Sequence, residues 1–180
     1  MPKQVDHDAR REELAAALWH VVTREGIEAA SIRRVAAEAN CSTGSLRHYF
    51  DSQSQLLAFA MEQVVARASE RVRALDPADH EGRLAQTLPL DDERRAEVEV
   101  WLAFTARALV DPDLRAMRDD AHASLRGLCE AAAGERGDEL HALVDGLALH
   151  GVLAPDLTPP DRQLELLREQ LERAGGPSPR

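Results

Sequence analysis

The fold is decided by residues 31–50, SIRRVAAEANCSTGSLRHYF, which predict two short helices joined by a tight turn. Ser31 suits the N-cap of the first helix, because its hydroxyl can accept a hydrogen bond from a backbone N–H of the first turn. Asn40 tolerates the left-handed backbone conformation, so the first helix can end there and the chain can turn sharply. Ser42 is a second N-cap residue, and we therefore expect the second helix to begin directly after it.

The second short helix predicts a surface that contacts DNA. Leu46 and Phe50 fall on one face and are expected to pack inward, which leaves hydroxyl, basic and aromatic side chains on the other face. In a helix-turn-helix the second helix enters the major groove, where such side chains reach phosphates and base edges. We therefore predict DNA contacts for the following residues of the motif: Ser31, Arg33, Arg34, Ser42, Thr43, Gly44, Ser45, Arg47, His48 and Tyr49.

For several of these side chains a second interpretation stays open, in which they make fewer contacts with DNA or none. Thr43 and Ser45 either meet a phosphate or base edge or simply solvate the start of their helix. Arg47 either donates two hydrogen bonds to a guanine or pairs with a phosphate. Arg33 and Arg34 lie on the outer face of the preceding helix, and we expect one to contact the DNA backbone and the other to be a solvated charge.

The motif resembles the tetracycline-repressor (TetR) family of transcriptional regulators, whose pattern runs T-x-x-x-I-A-x-x-A-G-V-S-x-G-x-L-Y-x-Y-F. Two departures concern DNA contacts: Arg47 replaces a frequent Tyr, and Gln53 stands where a phosphate-contacting Lys often opens the next helix. The resemblance implies that Tyr49 hydrogen-bonds a phosphate, and it leaves the contact of the missing Lys to Arg47. The residues that match the family pattern, without insertion or deletion, are Ser31, Val35, Ala36, Ala39, Ser42, Gly44, Leu46, Tyr49 and Phe50.

Composition predicts an all-α protein. Of the 180 residues, 44% are apolar and only 3% aromatic, and helix-forming Ala, Leu, Arg and Glu dominate over β-branched runs. The net charge of −10 is unusual for a protein that binds nucleic acid. The acidic excess lies outside the motif, since residues 1–53 hold seven Lys or Arg against eight Asp or Glu, and residues 31–50 hold three Arg against one Glu.

Apolar periodicity predicts how the rest of the chain is organised. A helix capped at Asp8 and ending at Glu25 completes a three-helix DNA-binding domain at residues 1–53. A long helix ending near Ala74 connects it to a ligand-binding and dimerisation domain at residues 54–180. The remaining expectations are helices at residues 82–88, 91–110, 112–133, 138–153 and 160–174, a loop at residues 134–137, and a frayed tail at residues 175–180.

The helix order of the second half, with WLAF at residues 101–104 and LVDGLALHG at residues 143–151, resembles BetI-type C-terminal domains. Leucines and a valine recur along the last two helices, which form either an intramolecular core or half of a four-helix dimer interface. The resemblance favours a homodimer, which would place two recognition helices about 34 Å apart. The predicted interface residues are Leu140, Leu143, Val144, Leu147, Leu164, Leu167 and Leu171.

A second set of residues is either plain core or the lining of a ligand cavity: Trp101, Phe104, Met117 and His122, with Cys129 beside them. His141 and Asp145, four residues apart on one helix face, suit a metal ion but lack an evident third ligand, so no metal is predicted. The two cysteines have no metal or redox spacing, and we expect no cofactor.

The motif together with the family resemblance predicts a homodimeric transcriptional regulator, acting as a repressor that a small molecule releases from palindromic double-stranded operator DNA. No nucleophile–base pair, Gly-rich phosphate loop or paired carboxylates indicate an enzyme. Two alternatives stay open: an all-helical ligand-binding protein or enzyme that does not bind DNA, and an activator. Residues 1–10 lack an apolar signal segment and Asp145 interrupts the most apolar stretch, so we expect a cytoplasmic protein without membrane contact.

Overall fold

The structure, a computed structural model, describes the backbone of residues 3–175 and the side chains of residues 9–174. This part of the chain contains α-helices and short 3-10 helices but no strand, which confirms the predicted all-α fold. The α-helices are α1 (Lys3–Glu25), α2 (Ile32–Glu38), α3 (Thr43–Arg47), α4 (Gln53–Arg73), α5 (His80–Ala85), α6 (Asp92–Ala108), α7 (Arg115–Ala133), α8 (Gly137–Leu153) and α9 (Pro160–Gly175).

The order of helices agrees with the sequence, while some ends differ. The N-cap predicted at Asp8 is wrong, because α1 begins at Lys3 and no Gly or Pro interrupts it before Glu25. Helix α5 begins earlier than predicted, because the Asp79 carboxylate caps it by accepting a hydrogen bond from the Gly82 N–H at 2.8 Å. Residues 176–180 of the predicted frayed tail lie outside the described residues.

Two predicted segments become 3-10 turns. Pro112–Leu114 forms a 3-10 helix ahead of α7, where the Asp111 carboxylate accepts from the Asp113 N–H. The loop predicted at residues 134–137 is a 3-10 helix, Gly134–Arg136, which leads directly into α8. The connection is therefore tighter than a free loop, and it sets α7 and α8 side by side as antiparallel neighbours.

Two hydrophobic cores organise the molecule. The first core is formed by the helices from α1 through α4 together with the C-terminal half of α6, which contributes Val100, Phe104 and Ala108. The second core is formed by the helices from α5 through α9. It surrounds Leu88, Leu140 and other buried side chains and includes Val98 of α6. Helix α6 therefore packs in both cores. No helix within residues 3–175 is long and apolar enough to cross a membrane.

The domain boundary predicted between residues 53 and 54 falls at the beginning of α4. Leu56, Phe59 and Ala60 of α4 pack in the first core, so the connector helix is part of the body beneath the helix-turn-helix. The Arg67 guanidinium also lies 4.1 Å from the centroid of the Trp19 ring, which holds α4 against α1. The boundary itself stays a prediction.

Candidate nucleic-acid interface and internal cavity

The helix-turn-helix is held by the local hydrogen bonds that its sequence predicts. The Ser31 hydroxyl accepts from the Arg34 N–H at 3.2 Å, and the Ser42 hydroxyl accepts from the Ser45 N–H at 3.0 Å. Between them Asn40 adopts a φ of 49°, the left-handed conformation that Asn tolerates better than most residues. Both predicted caps and the predicted turn are confirmed.

One face of helix α3 packs against the core, and the opposite face is exposed to solvent. Leu46 and Phe50 are buried, and the Phe50 ring packs 4.9 Å from that of Phe59 on α4, centroid to centroid. The opposite side of α3 is polar and faces away from the core. Along this surface Thr43, Gly44, Arg47 and His48 are exposed, while Ser45 and Tyr49 are half-buried.

Arg34 is engaged inside the protein. Its guanidinium donates to the carboxylates of Glu25, at 2.6 Å, and Glu38, at 2.7 Å, so it ties α2 to the end of α1. These hydrogen bonds lower the pKa of both carboxyl groups. Arg34 is therefore not the solvated charge that the sequence allowed. Arg33 and Arg47 are exposed and, within residues 9–174, have no ion-pair partner.

Gln53 has a structural contact at the position where the TetR pattern often has a Lys. Its side-chain amide donates to the Ala30 carbonyl at 2.8 Å, which links the start of α4 to the residue before the Ser31 cap of α2. Next to it the Asp51 N–H donates to the Gln55 side-chain oxygen at 2.7 Å. The junction between the helix-turn-helix and α4 is thereby fixed by hydrogen bonds.

A cavity of about 500 Å³ lies between α4, α6, α7 and α8. Most of its wall is apolar, and α4 contributes a continuous stripe from Met61 to Val72. Such a volume suits a small organic molecule. The residues that line it include Met61, Val64, Glu97, Trp101, Leu125 and Asp145.

Of the four side chains predicted to bind a ligand, only Trp101 lines this cavity. Phe104 is fully buried in the first core, because it lies on the side of α6 that faces α1 and α4. Met117 lines a smaller groove of about 290 Å³ between α4 and α7. His122 is exposed and stacks near His141. These positions correct the expectation of one common lining.

The α4 wall of the cavity and its charged groups were not predicted from the sequence. Buried Glu97 pairs with Arg71, whose Nη1 donates to Oε1 at 2.9 Å and whose Nη2 donates to Oε2 and to the Gln86 carbonyl. Asp145 faces the cavity from α8, with the imidazole of His141 at 3.7 Å. The sequence feature that could have predicted the α4 wall is the width of the apolar face of α4, which is larger than one neighbouring helix can cover.

The predicted dimer residues are mostly core. Leu140, Val144, Leu147 and Leu167 are buried within one chain, because they form the seam between α8, α9 and α6. Leu143 and Leu171 pack against the same core, and Leu164 is half-buried. The four buried residues leave little surface for a partner, and the interface itself stays a prediction. The outer face of α8 instead presents a stripe of small and apolar residues: Ala142, Gly146, Leu149 and Leu153.

Comparison with known proteins agrees with both halves of this structure. Residues 14–60 match the model of bacterial regulatory proteins of the tetR family, and residues 80–176 match the C-terminal domain of BetI-type transcriptional repressors. The HTH-type transcriptional regulator PksA of Bacillus subtilis (strain 168) is 37% identical over 190 residues, covering 96% of this chain and 93% of its own length.

Solved structures show the same architecture. A transcriptional regulator from Rhodococcus sp. Rha1 is 35% identical with a TM-score of 0.78, over 91% of this chain and 95% of that one. The multidrug binding protein EbrR, in complex with ethidium, is 31% identical with a TM-score of 0.72, over 92% of this chain and 98% of that one. The resemblance drawn from the motif is confirmed: the chain belongs to the TetR family of bacterial transcriptional regulators, with a BetI-type C-terminal domain.

Proposed function

We propose that two copies of this chain bind a two-fold symmetric operator through α3, and that a small cationic molecule in the cavity releases them. One observation carries the proposal: α4 and α6 line the cavity and also build the core on which α3 rests. Trp101 faces the cavity, and Phe104, one turn further along α6, is buried in that core. A change at the cavity therefore reaches the DNA-binding surface through two rigid helices.

Release follows from a difference in ligand affinity between two arrangements of α4 and α6. A molecule that fits better when these helices separate stabilises that arrangement by its difference in binding free energy. The separation tilts the body that carries α3. Because the two recognition helices must lie about 34 Å apart to meet successive major grooves, the tilt weakens DNA binding.

On the DNA side, Thr43, Arg47 and His48 are the exposed groups best placed to reach bases or phosphates in the groove. Arg33, which has no carboxylate partner within residues 9–174, supplies a contact to the phosphate backbone. Arg34 acts indirectly, because its bonds to α1 hold α2 at the angle that presents α3.

The outer face of α8 suits the dimer contact. Ala142 and Gly146 allow a second helix to approach closely, since within the described residues a Cβ added at Gly146 would meet no atom within 4 Å apart from its chain neighbours and the adjoining backbone of α8. Leu153 is 69% exposed, so replacing it by Glu leaves the monomer core intact. Leu153→Glu should therefore give monomers in analytical ultracentrifugation, and Leu109→Glu, at a residue 66% exposed directly after α6, should leave dimers. Dimeric Leu153→Glu contradicts this interface.

The cavity favours a cationic, largely apolar molecule. Among the charged residues of the lining, Glu97 is paired with Arg71 and Arg94 with Asp91, while the exposed Arg73 donates to the Ser69 carbonyl. The carboxylate of Asp145 faces the cavity beside an imidazole that is uncharged at neutral pH, because burial lowers its pKa. Trp101 adds an aromatic face that attracts cations. The complex of EbrR with the cation ethidium supports this class of ligand.

The test is binding to a labelled duplex from the protein's own upstream intergenic region, followed by fluorescence anisotropy. We expect Arg47→Ala to lose about 1–3 kcal/mol of binding free energy, or roughly 5- to 150-fold in affinity. Tyr49→Ala should weaken binding as well. Arg162→Ala removes the same charge from an exposed ion pair on α9 and should bind like the wild type.

The alternative function, an all-helical protein that does not bind DNA, makes the opposite prediction. It requires that Arg47→Ala and Tyr49→Ala have no effect on any activity, and that no duplex is retained even at low salt. The relatives that support DNA binding are named as transcriptional regulators, which favours a protein without catalytic activity that acts in the cytoplasm. The match to the C-terminal domain of BetI-type transcriptional repressors supports repression, and a reporter gene under the operator distinguishes it from activation.

A further inference from the structure

Three potential metal ligands meet where α7 and α8 pack together. His122 extends from α7, and His141 and Asp145 lie one turn apart on α8. Their ligand atoms all lie within 4.8 Å of one another, and the two imidazole centroids are 4.4 Å apart. The sequence showed only the pair on α8. The third ligand comes from the packing of a different helix.

The imidazole of His141 is buried, and the Asp145 carboxylate lies 3.7 Å from its Nε2, beyond hydrogen-bond distance. The residue is 6% exposed, and within the described part of the chain its Nε2 makes no hydrogen bond. A buried nitrogen without a hydrogen bond lowers the stability of the folded protein, so binding of a ligand to this atom would be favourable.

The geometry is close to that of a metal centre. In a tetrahedral zinc site with bonds of about 2.1 Å, ligand atoms lie about 3.4 Å apart. His141 Nε2 and Asp145 Oδ2, at 3.7 Å, already approach this separation. His122 is exposed and can rotate to complete the set without disturbing the core.

We propose that His122, His141 and Asp145 bind a divalent transition-metal ion of the Zn²⁺ class at the edge of the cavity. Two imidazoles and one carboxylate are ligands that Zn²⁺ accepts, and three protein ligands leave a fourth position for water or a ligand group. The ion joins α7 to α8. It also neutralises Asp145, the carboxylate that faces the cavity.

Metal binding is tested with Co²⁺, whose visible absorption reports coordination by nitrogen ligands, on protein purified without a histidine tag. We expect one Co²⁺ per chain, displaced by Zn²⁺. His122→Ala, at an exposed residue, and Asp145→Asn, which keeps its shape, should each lower the affinity at least about tenfold while the circular dichroism spectrum stays that of the wild type. His150→Ala, an exposed histidine on the same helix, is the matched control and should bind Co²⁺ normally.

Two outcomes overturn the site. If the wild type shows no saturable Co²⁺ absorption, the cluster does not bind metal. If His122→Ala and Asp145→Asn bind Co²⁺ as tightly as His150→Ala does, the ion is held elsewhere on the surface.

A second measurement connects the ion to the cavity, and this part rests on the proposed function. Because Zn²⁺ removes the free negative charge of Asp145, saturating Zn²⁺ should weaken ethidium binding at least about fivefold in fluorescence titrations. In Asp145→Asn, ethidium binds weakly with or without Zn²⁺. If the wild type binds Co²⁺ but no ethidium, the metal site stands and the proposed ligand class is wrong. If Zn²⁺ leaves the ethidium affinity unchanged, the coupling between the two sites is refuted.

Discussion

Arg71→Met should destabilise the protein by an amount that the surroundings of Glu97 determine. Glu97 is 4% exposed on α6, and Arg71 supplies two of its hydrogen bonds from α4. Methionine retains much of the aliphatic length of Arg71 but leaves the carboxylate without its counter-charge. Glu97 also lines the cavity, and its ion pair with Arg71 joins α6 to α4, the two helices that connect the cavity to α3.

Removing one partner of a buried ion pair costs about 3–5 kcal/mol. The side chain of Arg71 is itself 28% exposed, so water partly replaces it and the lower end of that range applies. We therefore expect a loss of about 3 kcal/mol in the free energy of unfolding. For a chain of this size that corresponds to a decrease in Tm of about 6–12 °C.

Urea unfolding at one fixed protein concentration measures the effect, since the proposed dimerisation would add to the apparent stability. Arg67→Met is the matched control, because Arg67 lies one turn earlier on α4 and pairs at 2.8 Å with the exposed carboxylate of Glu93 on α6. It should lose only about 1 kcal/mol. In Arg71→Met/Glu97→Met most of the stability should return. Equal losses for Arg71→Met and Arg67→Met, or no recovery in the double variant, would refute the reasoning.

Two further predictions follow from pKa values. Burial raises the pKa of the Cys129 thiol to about 12, so an aromatic disulfide should modify only half-buried Cys41 in the folded protein and both cysteines after unfolding. Hydrogen bonds from Arg34 hold the pKa of Glu25 and Glu38 below 4.5, so the stability they contribute is complete above about pH 4.5 and is lost at lower pH. Arg34→Gln should flatten the dependence of Tm on pH in that range; an unchanged curve contradicts it.

The helix-turn-helix could be predicted from sequence because its geometry is set by bonds between near neighbours. A serine hydroxyl that caps a helix reaches an N–H three residues away, and Asn40 enters the left-handed region through its own chemistry. None of this depends on distant parts of the chain. The two caps and the turn could therefore be placed before the fold was known.

The cavity and the dimer face could not be predicted in this way. Trp101 and Phe104 are both apolar and lie one turn apart, and only the crossing of α6 with α4 and α1 directs one to the cavity and the other to the core. On α8 both faces carry apolar residues. The larger ones, such as Leu140, fill the core, while the stripe that includes Gly146 stays outside. Periodicity finds such a face but not the neighbour that covers it.

The charge of the chain sets how salt should affect DNA binding. The net charge of −10 opposes long-range attraction, and Arg34 is neutralised by carboxylates, so attraction depends on Arg33 and Arg47. If both neutralise phosphates in each chain of a dimer, the four contacts give a slope of log K against log[salt] of about −3.6. Arg33→Ala removes two of them and should bring the slope to about −1.8 at every duplex sequence. An unchanged slope in Arg33→Ala places the phosphate contacts elsewhere, whereas a changed slope together with altered base preference makes Arg33 a reader of sequence.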